Sequence, residues 1–198
     1  MKKVVIASHN PGKLRELGAL LEPLGIEAVA QSQFRIAEAE EPHETFLENA
    51  LAKARHASRA TGLPALADDS GLCVAALAGE PGVHSAYFAG REGGREERDA
   101  RNNAKLVAAL RPQQDRAAFY YCVLVLVRSS ADPTPLVAEG RWHGAIALEP
   151  RGANGFGYDP YFVPRGESRS AAEMAPGEKN RVSHRGQALA ALATRLRV

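Results

Sequence analysis

Lys3-Val-Val-Ile-Ala7, followed by Ser8-His-Asn-Pro-Gly-Lys13 and then by leucines at positions 14, 17, 20 and 21, is the stretch whose reading decides the fold. The first five residues are short and mostly β-branched, the composition of a buried strand. The next six break it, the leucines recur at helical spacing, and Pro23 and Gly25 close the segment. A strand that turns tightly into a helix is an α/β element. It is also an anion-binding geometry, because free N–H groups at a helix start and the positive end of the helix dipole attract phosphate. Lys13 would add a mobile charge. The stretch is not a Walker A loop, since the first Gly and the Ser or Thr after Lys are missing. Most strand-to-helix turns bind nothing, so the pattern alone leaves a phosphate site and an ordinary connection both open.

Working outward, residues 26–30 predict a second strand, and a polar region with Glu38, Glu40 and Glu41 follows. Thr45-x-x-Glu48 predicts a capping box opening a helix to about Thr61, with Leu47, Ala50, Leu51, Ala54 and Ser58 on its inner face and Gly62 and Pro64 ending it. Residues 79–82 predict a turn and 83–90 an irregular segment. A charge-rich stretch from Gly90 leads into a helix ending near Leu110. Residues 119–127 are too apolar for an exposed face, so they predict a central strand. The Asp132-Pro133 turn connects them to residues 136–148, predicted as a strand pair interrupted at Gly144. Strands alternating with helices, then a hairpin, predict an α/β protein with a mixed sheet.

Leu66-Ala-Asp-Asp-Ser-Gly-Leu72 carries two adjacent carboxylates at the end of an apolar run. On an extended segment neighbouring side chains point to opposite faces, so only one of Asp68 and Asp69 can easily face a given cleft. Asp69 shares its parity with the small Ala65 and Ala67, which leaves room for a ligand on its side, and it is the candidate. Asp, Ser and Gly are also common turn formers, so a plain turn competes with this reading. The acids before the second helix could be a solvated loop or could bring a second carboxylate to a metal at Asp69, since Mg²⁺ prefers one or two carboxylates with water and phosphate oxygens. No His or Cys spacing points to zinc.

The 198 residues, 45% hydrophobic and 24% charged, suit one globular domain or two closely joined lobes. A net charge of +2 is too weak to argue for a nucleic-acid partner. Only six of the 25 basic residues are Lys, and Lys13, Lys53 and Lys179 fall within the notable stretches, as candidates for phosphate contact or for solvated surface. The apolar segment near the start is too short for a secretory signal. The longest apolar or aromatic run, Ala117 to Val127, has eleven residues, against roughly 20 for a bilayer span. A soluble cytoplasmic protein without a membrane partner is expected. Cys73 and Cys122 are isolated in apolar surroundings and are expected as buried free thiols.

Two later stretches look chemical. Arg151-Gly-Ala-Asn-Gly-Phe-Gly-Tyr-Asp-Pro160 would let backbone approach a ligand while Phe156 or Tyr158 stacks on a base, unless it is simply a glycine-rich hairpin. Lys179 and Ser183-His-Arg-Gly186 precede a helix whose Ala188, Leu189, Leu192 and Leu196 share a face. Ser183 is placed to cap it. His184 and Arg185 then lie in the first turn, where cations oppose the dipole, and that favours binding over structure.

Taken together, Ser8–Lys13, Phe46-Leu-Glu-Asn-Ala50, Ala67-Asp-Asp-Ser-Gly71, Pro81-Gly-Val-His-Ser85, Gly155-Phe-Gly-Tyr-Asp-Pro160 and Ser183-His-Arg-Gly186 resemble, in order and across essentially the whole chain, the inosine/xanthosine triphosphate pyrophosphatase family. The resemblance implies an α/β fold with an elongated mixed sheet flanked by helices, two lobes with a cleft between them, and a Mg²⁺-dependent homodimer. It implies cleavage of ITP, dITP or XTP to the monophosphate and pyrophosphate, with no stable nucleic-acid partner. By that likeness Ser8, His9, Asn10, Pro11, Gly12 and Lys13 cradle the triphosphate. Asp69 is the catalytic base or metal-bound activator, helped at the metal by Glu40 or Glu41, and Ser70 contacts substrate. Phe156, Gly157, Tyr158 and Asp159 hold the base, with Lys179, His184 and Arg185 completing the pocket. The chain departs from the family's commoner Thr-Gly-Asn by having Ser8-His9-Asn10, and it has Ala153-Asn154 where Gly and Thr are frequent.

Overall fold

The computed structural model describes residues 2–37 and 39–196, so Glu38 of the acidic region lies outside the described residues. In chain order the elements are β1 (Lys3–Ile6), α1 (Pro11–Leu21), β2 (Glu27–Ala30), α2 (Phe46–Thr61), β3 (Ala65–Val74), α3 (Arg95–Leu110), β4 (Ala117–Val127), β5 (Leu136–Ile146), β6 (Phe162–Pro164), α4 (Pro176–Val182) and α5 (His184–Leu196). Short 3₁₀ turns include Gln31–Phe34 and Gly82–Tyr87. The strands form one six-stranded sheet in the order β2-β1-β3-β4-β5-β6. β1 is parallel to β2, with Val5 opposite Val29, and to β3, with Ile6 opposite Leu66, while β5 and β6 are antiparallel. The α/β class and the mixed sheet agree with the sequence reading.

The chain divides into two compact units. The first comprises residues up to Asp69, Cys122–Gly140 and the chain from His184 on, and the second comprises Ser70–Tyr121 and Arg141–Ser183. In the first, Val4, Ile6, Leu66, Leu124 and Leu126 of the strands meet Leu17 and Leu21 of α1 and Leu189 and Leu192 of α5. In the second, Leu72, Val74, Tyr120, Trp142 and Phe162 pack with Leu106 and Leu110 of α3 and with Met174. β4 is apolar along its length because its inner residues, Cys122 to Val127, are all buried, as its composition predicts.

Three local readings change. Residues 136–148 are not a strand pair: β5 runs unbroken through Gly144, where a Cβ would lie 2.3 Å from the Val163 carbonyl oxygen. The glycine admits the close approach of β6 and is not a turn. Leu47 is 42% exposed, since the buried face of α2 is formed by Asn49, Ala50, Lys53, Ala54, Ala57 and Ser58. The helix period turns Leu47 outward and three polar side chains inward. Cys122 is buried, as expected of a free thiol, whereas Cys73 is only half-buried; both are free.

Candidate active site

In the first unit the chain leaves β1 and is tied to β3 by the Ala7 amide, which donates to the Leu66 carbonyl at 2.9 Å. Asn10 then caps α1: its Oδ1 accepts from the amides of Gly12 at 2.9 Å and Lys13 at 3.1 Å, and its own amide donates to Ser8 Oγ at 3.1 Å. Pro11 has no N–H to offer. The helix-start amides expected to be free are therefore satisfied by Asn10, and what remains for an anion is the dipole and its neighbouring cation. That cation is not mobile either. Lys13 Nζ lies 2.5 Å from Asp68 Oδ1. His9 is exposed, and its Nδ1 is 3.0 Å from Nε2 of the buried Gln31; an amide nitrogen donates, so the network assigns the ring proton to Nε2. Among the described non-glycine residues only Arg35 and Ala78 have positive φ. The loop therefore needs no glycine at position 9.

Asp68 and Asp69 lie inside β3, which continues through Ser70 and Gly71, so the stretch is strand and not turn. Extended backbone sends the two acids to opposite sides. Asp68, 1% exposed, meets Lys13 through Oδ1, and through Oδ2 it meets Arg185 Nε at 2.7 Å and the Cys122 thiol at 3.2 Å. Burial would push its carboxyl up, but the charges of Arg185 and Lys13 overcome this and hold it well below the usual carboxylate range. Arg185, 1% exposed, also pairs with Glu16 of α1. A cation in the first turn of α5 opposes the dipole, and these two carboxylates offset that cost. Two of the guanidinium donors expected to read a base are thus committed to Asp68 and Glu16.

Asp69, 6% exposed, faces Lys53 of α2, whose Nζ is 2.8 Å from Oδ1 and also contacts Glu41. Burial raises the Asp69 carboxyl, the charges of Lys53 and Lys13 pull it back, Glu41 adds to the rise, and the net direction is up. Lys53 stays an ammonium: burial pulls it down, but Asp69 and Glu41 more than compensate. Asp69 Oδ2 is buried and has no hydrogen-bond partner among the described residues. A carboxylate oxygen in that state accepts a proton or ligates a hard cation. Glu41, not Glu40, shares Lys53 with Asp69. Asn49 holds the segment carrying Glu41, because its side chain accepts from the His43 amide at 3.1 Å and donates to the His43 carbonyl at 3.0 Å. No group of three or more His, Cys, Asp or Glu that could hold a metal occurs among the described residues. Carboxylate oxygens alone suit a hard cation better than zinc.

Glu16 and Asn49 escaped the sequence-derived candidates, while Lys53, a candidate for phosphate contact or solvated surface, instead pairs with Asp69 and Glu41. Lys53 and Asn49 carried a signal, being polar residues at helical spacing with Ala50, Ala54 and Ala57; Glu16 carried none.

In the second unit, Asp159 Oδ2 accepts from the Phe156 amide at 2.9 Å and from Lys179 Nζ at 2.7 Å, with both side chains buried. Gly155 has φ +78°, and a Cβ there would lie 2.0 Å from that same oxygen, so only glycine fits. Arg95 lies over the Phe156 ring, its Cζ 4.7 Å from the centroid. Tyr158 is not a stacking face: it is 4% exposed, sits in the core and donates its hydroxyl to the Ser85 carbonyl at 2.8 Å. The structure thus groups Ser8–Lys13, Asp68, Asp69, His184 and Arg185 in the first unit, and Ser70, Phe156–Asp159 and Lys179 in the second. His184 is buried at the start of α5. Ser183 precedes it in extended backbone, φ −68° and ψ 162°, the position of an N-cap.

A profile of the Ham1 family matches residues 4–195. The dITP/XTP pyrophosphatase of Burkholderia pseudomallei is 61% identical over 194 residues, 98% of this chain and 93% of that protein. The dITP/XTP pyrophosphatase of Bordetella pertussis is 60% identical over 197 residues, 100% of this chain and 92% of that one. Among solved structures, a HAM1 protein from Coxiella burnetii superposes with a TM-score of 0.89 at 49% identity, covering 100% of this chain and 99% of the other. The Staphylococcus aureus Ham1 protein does so with a TM-score of 0.85 at 35% identity, covering 99% and 98%. A profile match over nearly the full length, with relatives this similar, places the chain in the Ham1 family.

Proposed function

We propose that this chain is a nucleoside triphosphate pyrophosphatase that cleaves ITP, dITP and XTP to the monophosphate and pyrophosphate, keeping deaminated purines out of DNA and RNA. The relatives that match it over nearly their whole length are named dITP/XTP pyrophosphatases. The observation that carries the reading is Asp69, a buried carboxylate with one oxygen on Lys53 and the other without a hydrogen-bond partner among the described residues. That oxygen takes the proton of a water as its oxygen attacks the α-phosphorus and the bond to the bridging oxygen of pyrophosphate breaks. The raised affinity of Asp69 for a proton makes it a better base than an ordinary carboxylate. Asp69 and Glu41 would hold Mg²⁺, which when bound neutralises phosphate charge.

Ser8–Lys13, with the dipole of α1, bind the triphosphate, while Asp68 holds Lys13 in place. Ser70 contacts substrate, and Phe156 stacks on the base beside Asp159 and Lys179. Base choice follows hydrogen-bond sign: inosine and xanthine offer an O6 acceptor where adenine has an amino donor. Donors at Lys179, His184 or a backbone N–H pair with the first and are left unpaired by the second, at about 1–3 kcal/mol each. Two such mismatches give discrimination on the order of a hundredfold. A cytoplasmic homodimer acting on free nucleotides is part of the same proposal; separately, no helix among the described residues is long and apolar enough to cross a membrane.

Product analysis tests the reading. With ITP and Mg²⁺ we expect IMP and pyrophosphate in equal amounts, with ATP cut far more slowly and no turnover in chelator. Release of orthophosphate, or equal rates on ATP and ITP, would overturn it.

A further inference from the structure

We propose that Asp99 and Asn103 of α3 are positioning residues for base recognition: they grip both backbone groups of Gly157 and so fix where the Phe156 ring is presented. The inference rests on the reading that Phe156 stacks on the base. Arg95, Asp99 and Asn103 follow one another at intervals of four residues, so they form one stripe on α3. Asp99 Oδ2 accepts from the Gly157 amide at 3.0 Å, and Asn103 Nδ2 donates to the Gly157 carbonyl at 2.9 Å. Asn103 is itself buried and tied back to the Asp99 carbonyl at 2.9 Å. Arg95 Nε is 3.8 Å from Asp99 Oδ2, and its guanidinium lies over Phe156. One carboxylate therefore contacts both the backbone next to the ring and Arg95, one of the two cations over it, the other being Lys179.

Such a grip matters because Gly157 has φ +64°, a conformation glycine leaves readily when nothing holds it. Asp159 fixes the amide on the near side of Phe156, and Tyr158 anchors the far side to the Ser85 carbonyl. Between those two anchors α3 fastens both peptide groups of Gly157. Stacking is sensitive to ring placement, so loosening this point costs base affinity while leaving the phosphate-binding residues untouched.

The test is kinetic. Asp99→Ala and Asn103→Ala should each raise KM for ITP by about tenfold, the scale of one lost hydrogen bond with its partner left unsatisfied, while kcat falls far less. Inhibition by IMP should weaken by a similar factor, and inhibition by pyrophosphate should not change. Asp99→Asn keeps an acceptor for the Gly157 amide and should restore most of the loss. A purely structural role would weaken both inhibitors together or lower thermal stability with kinetics intact, and either result overturns the proposal. Phe156→Ala separates the two levels: unchanged ITP kinetics in that variant would remove the stacking reading itself. A strong effect there with none in the α3 variants would remove only the grip.

Discussion

Replacing Arg185 by Met should destabilise the protein by about 3 kcal/mol, the lower part of the range of roughly 3–5 kcal/mol for breaking one side of a buried ion pair. The lower part applies because Lys13 remains on Asp68 Oδ1 after Arg185 is lost from Oδ2. Glu16 also loses its partner, and Met fills the volume without supplying a donor. For a chain of 198 residues this corresponds to a fall in Tm on the order of 6–12 °C. Asp68→Asn should cost a comparable amount. The double variant should cost less than the sum of the two by about 2 kcal/mol, because each single change already strands the other group. Urea unfolding followed by circular dichroism at neutral pH measures all three.

The pH dependence has a definite sign. Asp68 binds its proton less readily folded than unfolded, so its contribution is present above the ordinary carboxylate value of 3.8 and is lost as pH falls through the lower folded value. The gap between the native chain and Asp68→Asn should therefore close in acid. A cost for Arg185→Met below about 1 kcal/mol, or strict additivity in the double variant, would refute the view that these charges form one unit.

Asp69→Asn should abolish hydrolysis of ITP while leaving ITP binding measurable by calorimetry; full turnover would remove Asp69 from the chemistry. Lys53→Met takes away the largest charge that lowers the Asp69 carboxyl, so the acid limb of the kcat profile should move to higher pH, and a limb that stays or moves down would contradict the assignment. Lys13→Ala should mainly raise KM for triphosphates, with unchanged kinetics showing that the loop is not the phosphate cradle. Asn10→Ala removes the acceptor to which the Gly12 and Lys13 amides donate and should cost about 1 kcal/mol in the same urea measurement.

What could be read from the sequence was local. The β1–loop–α1 opening, the Thr45 cap of α2 and the apolar β4 all carry their signals within a few residues. Asn10 as the cap of α1 and Pro176 as the start of α4 were also legible by the same rules, since Asn precedes a Pro-Gly start and Pro favours the first helical turn. β6 has only three residues and no periodicity to detect. The ion network is a different case. Arg185 and Asp68 are 117 positions apart and Lys13 and Asp68 are 55 apart, so no window of sequence contains both partners. Position in the first turn of α5 favoured binding over structure for Arg185, yet its side chain is paired with the protein's own carboxylates.

That outcome explains why two adjacent acids are needed where the proposed reaction uses one as its base. A single extended step sends Asp68 to Lys13, Arg185 and Cys122, and Asp69 to Lys53 and Glu41. Burial disfavours ionisation of both, yet two cations on Asp68 reverse the sign, whereas Asp69 keeps a net rise because Glu41 works against its cations. Asp68 is thus locked as an anion and fixes α1 and α5 to β3, while its neighbour retains an unsatisfied oxygen with affinity for a proton. Exchanging the surroundings of the two would leave a base too weak to take a proton from water and an anchor whose charge is more readily lost to a proton.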